Sequence, residues 1–414
     1  MMMETVVIGN GVAGEAACSA IRSRTKEIKI TLISEDPYPF YSPCILTQYI
    51  SRDLKRSQVF LKTLRDYEKE GINVLLGSRV DKINPVGRTV FLNEREIAYD
   101  KLILATGSRP IVPDMEGIQK KGVRVLKSMR DADRLVRARG GKAIVVGSGP
   151  IGVELAIALR KKGWEVCLIE VLDWILPGHF DRKASLIVRN ILERQGIEVL
   201  TSEMILSIDG RTHVNGVMAS RTGRHTADMV VFTIGMHPST ELARGAGVEI
   251  GELGGIRVSD EMETSINDIY ACGDCAEGRD PFTLRPKLSL LWPHAERQGT
   301  VAGFNCVGEH CSVRWMPDSI NLDVFGKFAG AMGQPARKVS GEVRLLEKED
   351  EERYCCLVIS EGTLIGAQFI GDHDGIGILW PLLGRSYQEI CQRAKDEEMM
   401  ARFPWHHPVK NLFF

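Results

Sequence analysis

The chain has 414 residues, 44% of them hydrophobic and 26% charged, which is enough apolar content to build two to three cored domains. Lys+Arg of 53 against Asp+Glu of 54 leaves a formal charge of -1, so no global field draws the protein to nucleic acid or an anionic membrane. The apolar runs fall short of the ~20 residues that span a bilayer. The first strand-like run begins at Glu4 with no charged-then-apolar leader, and a cytoplasmic location is expected.

Glu4 to Ile8 reads as a buried strand that runs into Gly9-Asn10-Gly11-Val12-Ala13-Gly14, a G-x-G-x-x-G turn followed by a helical pattern to about Arg24. Gly9 suits the tight turn, Gly11 lets backbone approach a pyrophosphate, and Gly14 lets helix and strand pack closely. A second strand, Ile28 to Ser34, ends on Glu35, whose carboxylate is placed to accept from a ribose diol. Val80 is assigned to the same site.

Next comes Phe40-Tyr-Ser-Pro-Cys44-Ile-Leu. Pro43 suits a first helical position, which would put Cys44 at a helix N-terminus where its thiolate is stabilised and its pKa lowered. Small buried cysteines are common, and both a redox thiol and a packing residue stay open. The other cysteines are scattered, and Cys272-Gly-Asp-Cys275 alone has C-x-x-C spacing, so no cluster or zinc set is expected.

Strand, glycine turn, helix and acid return from Ala143. The loop Gly147-Ser148-Gly149-Pro150-Ile151-Gly152 is followed by Glu154 in a helix to Lys162, and a strand from Glu165 to Ile169 ends on Glu170. Two such units imply two dinucleotides with their reactive rings face to face, a flavin and a nicotinamide. Glu170 favours NADH over NADPH, because a carboxylate about 4 Å from a 2'-phosphate costs ~1–4 kcal/mol per charge pair. The stretch after it offers no Arg to hold that phosphate.

Further segments lie around these units: Leu104-Ala105-Thr106-Gly107-Ser108-Arg109-Pro110, Val230 to Pro238 with Gly235, Ile269 to Asp274 with Gly273, and Leu291 to Gly299 with His294 and Ala295. Together with the two glycine loops, these ordered motifs resemble the FAD-dependent pyridine nucleotide-disulfide oxidoreductases. The likeness is to the branch with NADH oxidases, CoA-disulfide reductases and rubredoxin and ferredoxin reductases, and it covers about residues 4–335. It is also similar to flavoprotein subunits of phenylglyoxylate dehydrogenase and tungsten aldehyde oxidoreductase complexes.

The resemblance implies an α/β fold with two Rossmann-like dinucleotide-binding domains and a C-terminal α+β interface domain. Its expected divisions are a split FAD domain (1–115 and 247–315), an inserted NADH domain (116–246) and residues 316–414. Asp274 would bond the ribityl chain while Gly273 admits the cofactor, and Ala105, Thr106, Gly107 and Arg109 would lie beside the FAD diphosphate. The Pro293 helix would open against the flavin ring, with His294 able to donate there. FAD and NAD(H) are the expected cofactors, with a rubredoxin-type or iron-sulfur redox protein as electron partner in a homo-oligomer or hetero-oligomeric complex.

The chain departs from the family in two places. Ile45 and Thr47 replace a Gly and a Pro beside the thiol segment, and His407-Pro408 lacks a following Glu, so acid/base chemistry of the glutathione-reductase type is not expected. The segment Pro404 to Phe414 is aromatic and reads as a docking tail. Upstream of it, Asn321 to Phe328, Gly341 to Leu346, Arg353 to Ser360 and Thr363 to Ile370 read as strands. Glu347 to Glu352 reads as a solvated turn, and Gly375 to Met400 as helices.

Overall fold

The strand Glu4–Ile8 lies between Lys101–Leu104 and Lys29–Ser34, parallel to both, and Val6 and Val7 are fully buried. A strand covered on both faces has no solvent side, which is why these runs are dominated by apolar residues without alternation. Ile269–Ala271 and Ile72–Leu76 complete the five-stranded parallel sheet, so the segment near residue 270 rejoins the sheet that starts the chain. The computed structural model describes residues 3–93, 95–349, 353–371 and 374–393.

The helix Val12–Arg24 packs along the helix Trp292–Cys306 at very short range. A Cβ at Gly299 would fall 2.1 Å from the Ala13 carbonyl oxygen, and one at Gly303 2.5 Å from that of Ala17. This contact brings the N-terminus of the second helix, with Pro293 in its first turn, towards the first glycine loop.

A second parallel sheet repeats the plan, with Lys142–Val146 between Glu165–Ile169 and Met229–Phe232, flanked by Ile197–Leu200 and Val123–Val125. The helix Pro150–Lys161 follows its glycine loop. Between the two sheets the chain pairs Met236–Pro238 antiparallel with Ser108–Pro110, His237 opposite Arg109.

The third five-stranded sheet is antiparallel, in the order Ser319–Val324, Lys327–Gly333, Thr363–Ile370, Tyr354–Ser360, Val343–Glu349. The expected strand from Asn321 to Phe328 is instead broken by a two-residue turn. Phe325 and Gly326 have φ of 54° and 85°, and Asp323 Oδ1 accepts from the Gly326 N–H at 2.5 Å. Glu347 and Glu349, expected in a solvated turn, lie within the last strand, where both carboxylates face Lys183 at 3.5 and 3.1 Å.

After this sheet come the helix Asp374–Leu379, a 3-10 turn Trp380–Leu382 and the helix Tyr387–Arg393. The docking tail from Pro404 to Phe414, His407-Pro408 and the rest of the helix expected to reach Met400 lie outside the described residues. Among the described residues no helix is long and apolar enough to cross a membrane.

Candidate active site

Both glycine loops open into one continuous cavity of about 2290 Å³. Each loop begins on a glycine whose conformation an L side chain resists, Gly9 at φ 116° and Gly147 at φ 97°. The neighbouring backbone closes off both positions, since a Cβ would meet the Ala105 carbonyl oxygen at 2.0 Å or that of Thr233 at 2.6 Å. The middle glycines differ: a Cβ on Gly11 or Gly149 would meet nothing within 4 Å and would project into free space on the cavity wall. Such bare backbone at a helix N-terminus is the cradle a diphosphate needs. Gly14 and Gly152 do not reach the cavity; they let each helix cross its own loop, where a Cβ would lie 1.9 and 2.0 Å from the Gly9 and Gly147 carbonyl oxygens.

Most other residues singled out in the sequence reach the same space. Asn10, Val12, Ala13, Glu35, Val80, Ala105, Thr106, Gly107, Arg109, Pro150, Ile151, Glu154, Glu170, Gly235, Gly273, Asp274, Ala295 and Cys44 all line it. The two strand-end acids behave differently. The Glu35 side chain is 74% exposed, with Arg79 Nη1 at 3.8 Å. Glu170 is buried: one oxygen accepts from Ser148 N at 3.0 Å and Oγ at 2.5 Å, and the other from Leu172 N at 2.9 Å. The carboxylate expected to meet a ribose therefore also holds its own glycine loop.

Asp274 Oδ2 accepts from Ser108 Oγ at 2.6 Å and from Lys127 Nζ at 3.0 Å, while Oδ1 has no partner among the described residues. Lys127, a cation on the cavity wall between Asp274 and Ser108, was missed in the sequence because no motif marks it. Its pairing emerges only when the strand Ser108–Pro110 meets the segment before the helix Met129–Arg137.

His294 corrects an expectation. It is 5% exposed and does not line the cavity; Nε2 points to Asp318 Oδ1 at 3.3 Å. The first turn of its helix sends Trp292, Pro293 and Ala295 to the cavity and rotates the residue between them away. Burial opposes ionisation of Asp318, but the facing His294 imidazole and Lys287 outweigh it and hold its carboxyl down at about 2. Lys287 Nζ lies 3.0 Å from the same oxygen.

Cys44 lies where the sequence placed it: Pro43 opens the 3-10 turn Pro43–Ile45, which runs directly into the helix Leu46–Ser51, so the thiol sits in the first turn of a helical run. The thiol is exposed to the cavity, yet desolvation by the surrounding walls raises its pKa, opposed by Ser42, raised further by Glu154, and opposed again by Lys127. The lowered pKa expected from a helix N-terminus is absent. Cys272 and Cys275 are fully buried, and burial raises both thiols.

Glu154 is the most strongly perturbed acid on the wall. Desolvation pushes it up to about 7, against a hydrogen bond to Thr47 and with help from Asp323 of the third sheet. Three separate parts of the chain thus meet around one carboxyl group.

The family model for "Pyridine nucleotide-disulphide oxidoreductase" matches residues 3–299. The chain belongs to this family. FAD and NAD(H) are the cofactors of this oxidoreductase, and the open backbone at Gly11 and Gly149 fits two dinucleotides. The chain is 35% identical over 320 residues to the "NADH oxidase" of Methanocaldococcus jannaschii, covering 74% of this chain and 70% of that one. It is 30% identical to the "Nitrite reductase [NAD(P)H]" of Bacillus subtilis, of whose length it spans 46%. Among solved structures, the NAD-dependent persulfide reductase from A. fulgidus superimposes with a TM-score of 0.89 at 29% identity, over 94% of this chain and 78% of that one.

Proposed function

We propose that this oxidoreductase passes electrons between NAD(H) and a redox-protein partner of rubredoxin or iron-sulfur type by way of FAD, with the first glycine unit holding FAD and the second NAD(H). The flavin supplies the two-electron to one-electron conversion that such a partner needs. Gly11 and Gly149 leave room for the diphosphates, Asp274 Oδ1 is free for a ribityl hydroxyl, and Glu35 is free for a ribose. Ala105, Thr106, Gly107 and Arg109 flank the first loop, while Pro150, Ile151 and Gly235 flank the second. In this reading the enzyme works in the cytoplasm as the NAD-linked subunit of a larger complex.

The observation that carries the reading is the single cavity joining both loops; desolvation raises the pKa of the thiol on its wall, Cys44. Thiolate chemistry requires a lowered pKa or a neighbouring base. The groups acting on Cys44 are Ser42, two carboxylates and one lysine, with no histidine among them. A second reading, thiol-dependent reduction of a persulfide or CoA disulfide, draws on the position of Cys44 on this same wall. Cys44→Ser separates the two. NADH oxidation with a dye acceptor that stays within about twofold of wild type, with transfer to a co-purified native partner intact, supports the protein-partner reading. Loss of NADH-dependent persulfide or CoA-disulfide reduction in the variant, from an active wild type, replaces it with the thiol reading.

A further inference from the structure

One end of the cavity is built differently from the glycine loops. Here the loop after the strand Glu165–Ile169 meets a 3-10 turn of the C-terminal part of the chain, Ala336–Lys338. His179 from the loop and Lys338 from the turn both line the cavity. Neither the imidazole of His179 nor the ammonium of Lys338 has a hydrogen bond or ion pair with a described residue.

Two devices fix these side chains. Asp181, two residues beyond His179 and 8% exposed, accepts from the Ala336 N–H at 3.0 and 3.3 Å. The same carboxylate accepts from the Gln368 side-chain amide, and the Asp181 N–H donates to Gln368 Oε1 at 2.9 Å, with Gln368 1% exposed. Two guanidinium groups lie over the Trp174 ring, Arg182 at 5.1 Å and Arg337 at 5.0 Å from its centroid. A buried polar knot and two cation–π contacts therefore hold loop and turn in one register.

That register brings Lys338 Nζ against the loop backbone: a Cβ on Gly178 would lie 3.8 Å from it. The nearby lysine Lys287 is already engaged with Asp318 at 3.0 Å and Asp280 at 3.6 Å. Lys338 has no such direct pairing with a described residue; burial lowers its pKa, and Asp318 and Asp280 act on it only at longer range. Burial, then Lys338 itself, pushes His179 down to about 4, so the imidazole is neutral and presents one donor and one acceptor.

We propose that His179 and Lys338 form a subsite for an oxyanion group, a phosphate or carboxylate, on a ligand that enters this cavity. Lys338 supplies the charge and the neutral imidazole a hydrogen bond. Two sources are consistent with this chemistry, the pyridine nucleotide and an anionic electron acceptor. The proposal rests on the cavity being the nucleotide and electron-transfer site.

The test uses the FAD-loaded enzyme with Lys338→Gln, His179→Gln and the charge-preserving Lys338→Arg. Inorganic phosphate is titrated calorimetrically, and NADH oxidation is followed with ferricyanide, an anion, and with menadione, which is uncharged. Lys338→Gln should weaken phosphate binding about fivefold or more, His179→Gln less, and Lys338→Arg should restore most of it. A raised KM for NADH with both acceptors assigns the oxyanion to the nucleotide; a raised KM for ferricyanide alone assigns it to the acceptor. Equal phosphate affinity in wild type and Lys338→Gln, with no KM moved, overturns the subsite. A wild-type enzyme that oxidises NADH with neither acceptor overturns the functional reading instead, and the calorimetry still decides the subsite.

Discussion

The two glycine units share a motif but wire its middle residue differently. In the first, Asn10 leaves its own unit: Oδ1 accepts from Tyr67 Oη at 3.0 Å and Nδ2 donates to the Tyr38 carbonyl at 3.3 Å. In the second, Ser148 stays at home and donates to Glu170 at the end of the adjacent strand. The consequence falls on the strand-end acids. Glu35 is exposed with only a distant Arg79, while Glu170 is buried and committed on both oxygens. One spacing therefore yields an acid free for a ligand in one unit and an acid that also braces the loop in the other.

The largest effects should come from the position at which the two units agree. Gly11→Val fills the first cradle and should yield protein purified without its yellow absorbance. Gly149→Val should keep the flavin but abolish its bleaching by NADH. If both variants purify with full FAD and bleach normally, the cradles are misassigned.

The acids should then separate. Glu170→Ala strips the Ser148 and Leu172 N–H groups of their partner and should lower stability by about 1–3 kcal/mol. Glu35→Ala should stay within about 0.5 kcal/mol. Thermal melts of the two apoproteins compare them directly, and equal losses would erase the distinction drawn here. The same contacts imply that Glu170→Arg, a plain exchange of charge for NADPH use, would also loosen the loop; retained stability with a raised NADPH/NADH ratio of kcat/KM would show that the brace is dispensable.

A smaller effect is expected at Tyr67. Tyr67→Phe keeps the buried ring but removes the hydroxyl that bonds Asn10 and the Phe40 N–H, which donates to it at 3.0 Å. A loss of about 1 kcal/mol in FAD affinity is expected, measured by flavin fluorescence on dilution. An Asn10→Ala, Tyr67→Phe cycle should be less than additive, because both changes break one bond.

The smallest effect is a pH dependence. Glu154 is raised from 4.5 to about 7, so between those values the folded apoprotein holds a proton that the unfolded chain has released. Stability should fall as pH rises through this window and level off above about 7. Glu154→Gln should flatten the slope, with a gain of order 1 kcal/mol at pH 8 after discounting for water in the cavity. Parallel profiles of wild type and variant would show that Glu154 titrates normally.

The amino-acid sequence by itself determined the two nucleotide units and their order. The local rules there are strict: a buried parallel strand must be apolar, a tight turn with positive φ needs glycine, and a close helix crossing excludes a Cβ. Gly9, Gly14, Gly147 and Gly152 could therefore be read off, as could the strands Glu4–Ile8 and Glu165–Ile169 to the residue. Tertiary structure decided where neighbouring side chains point and what they meet. His294 faces Asp318 instead of the cavity, Lys127 finds Asp274, Cys44 is desolvated by the cavity walls, and His179 comes to share a wall with Lys338. Each of these pairings joins residues far apart in the chain, or depends on the rotation of one helical turn. Hydrogen bonds, ion pairs and desolvation act over a few ångströms of space, so sequence spacing does not reveal them.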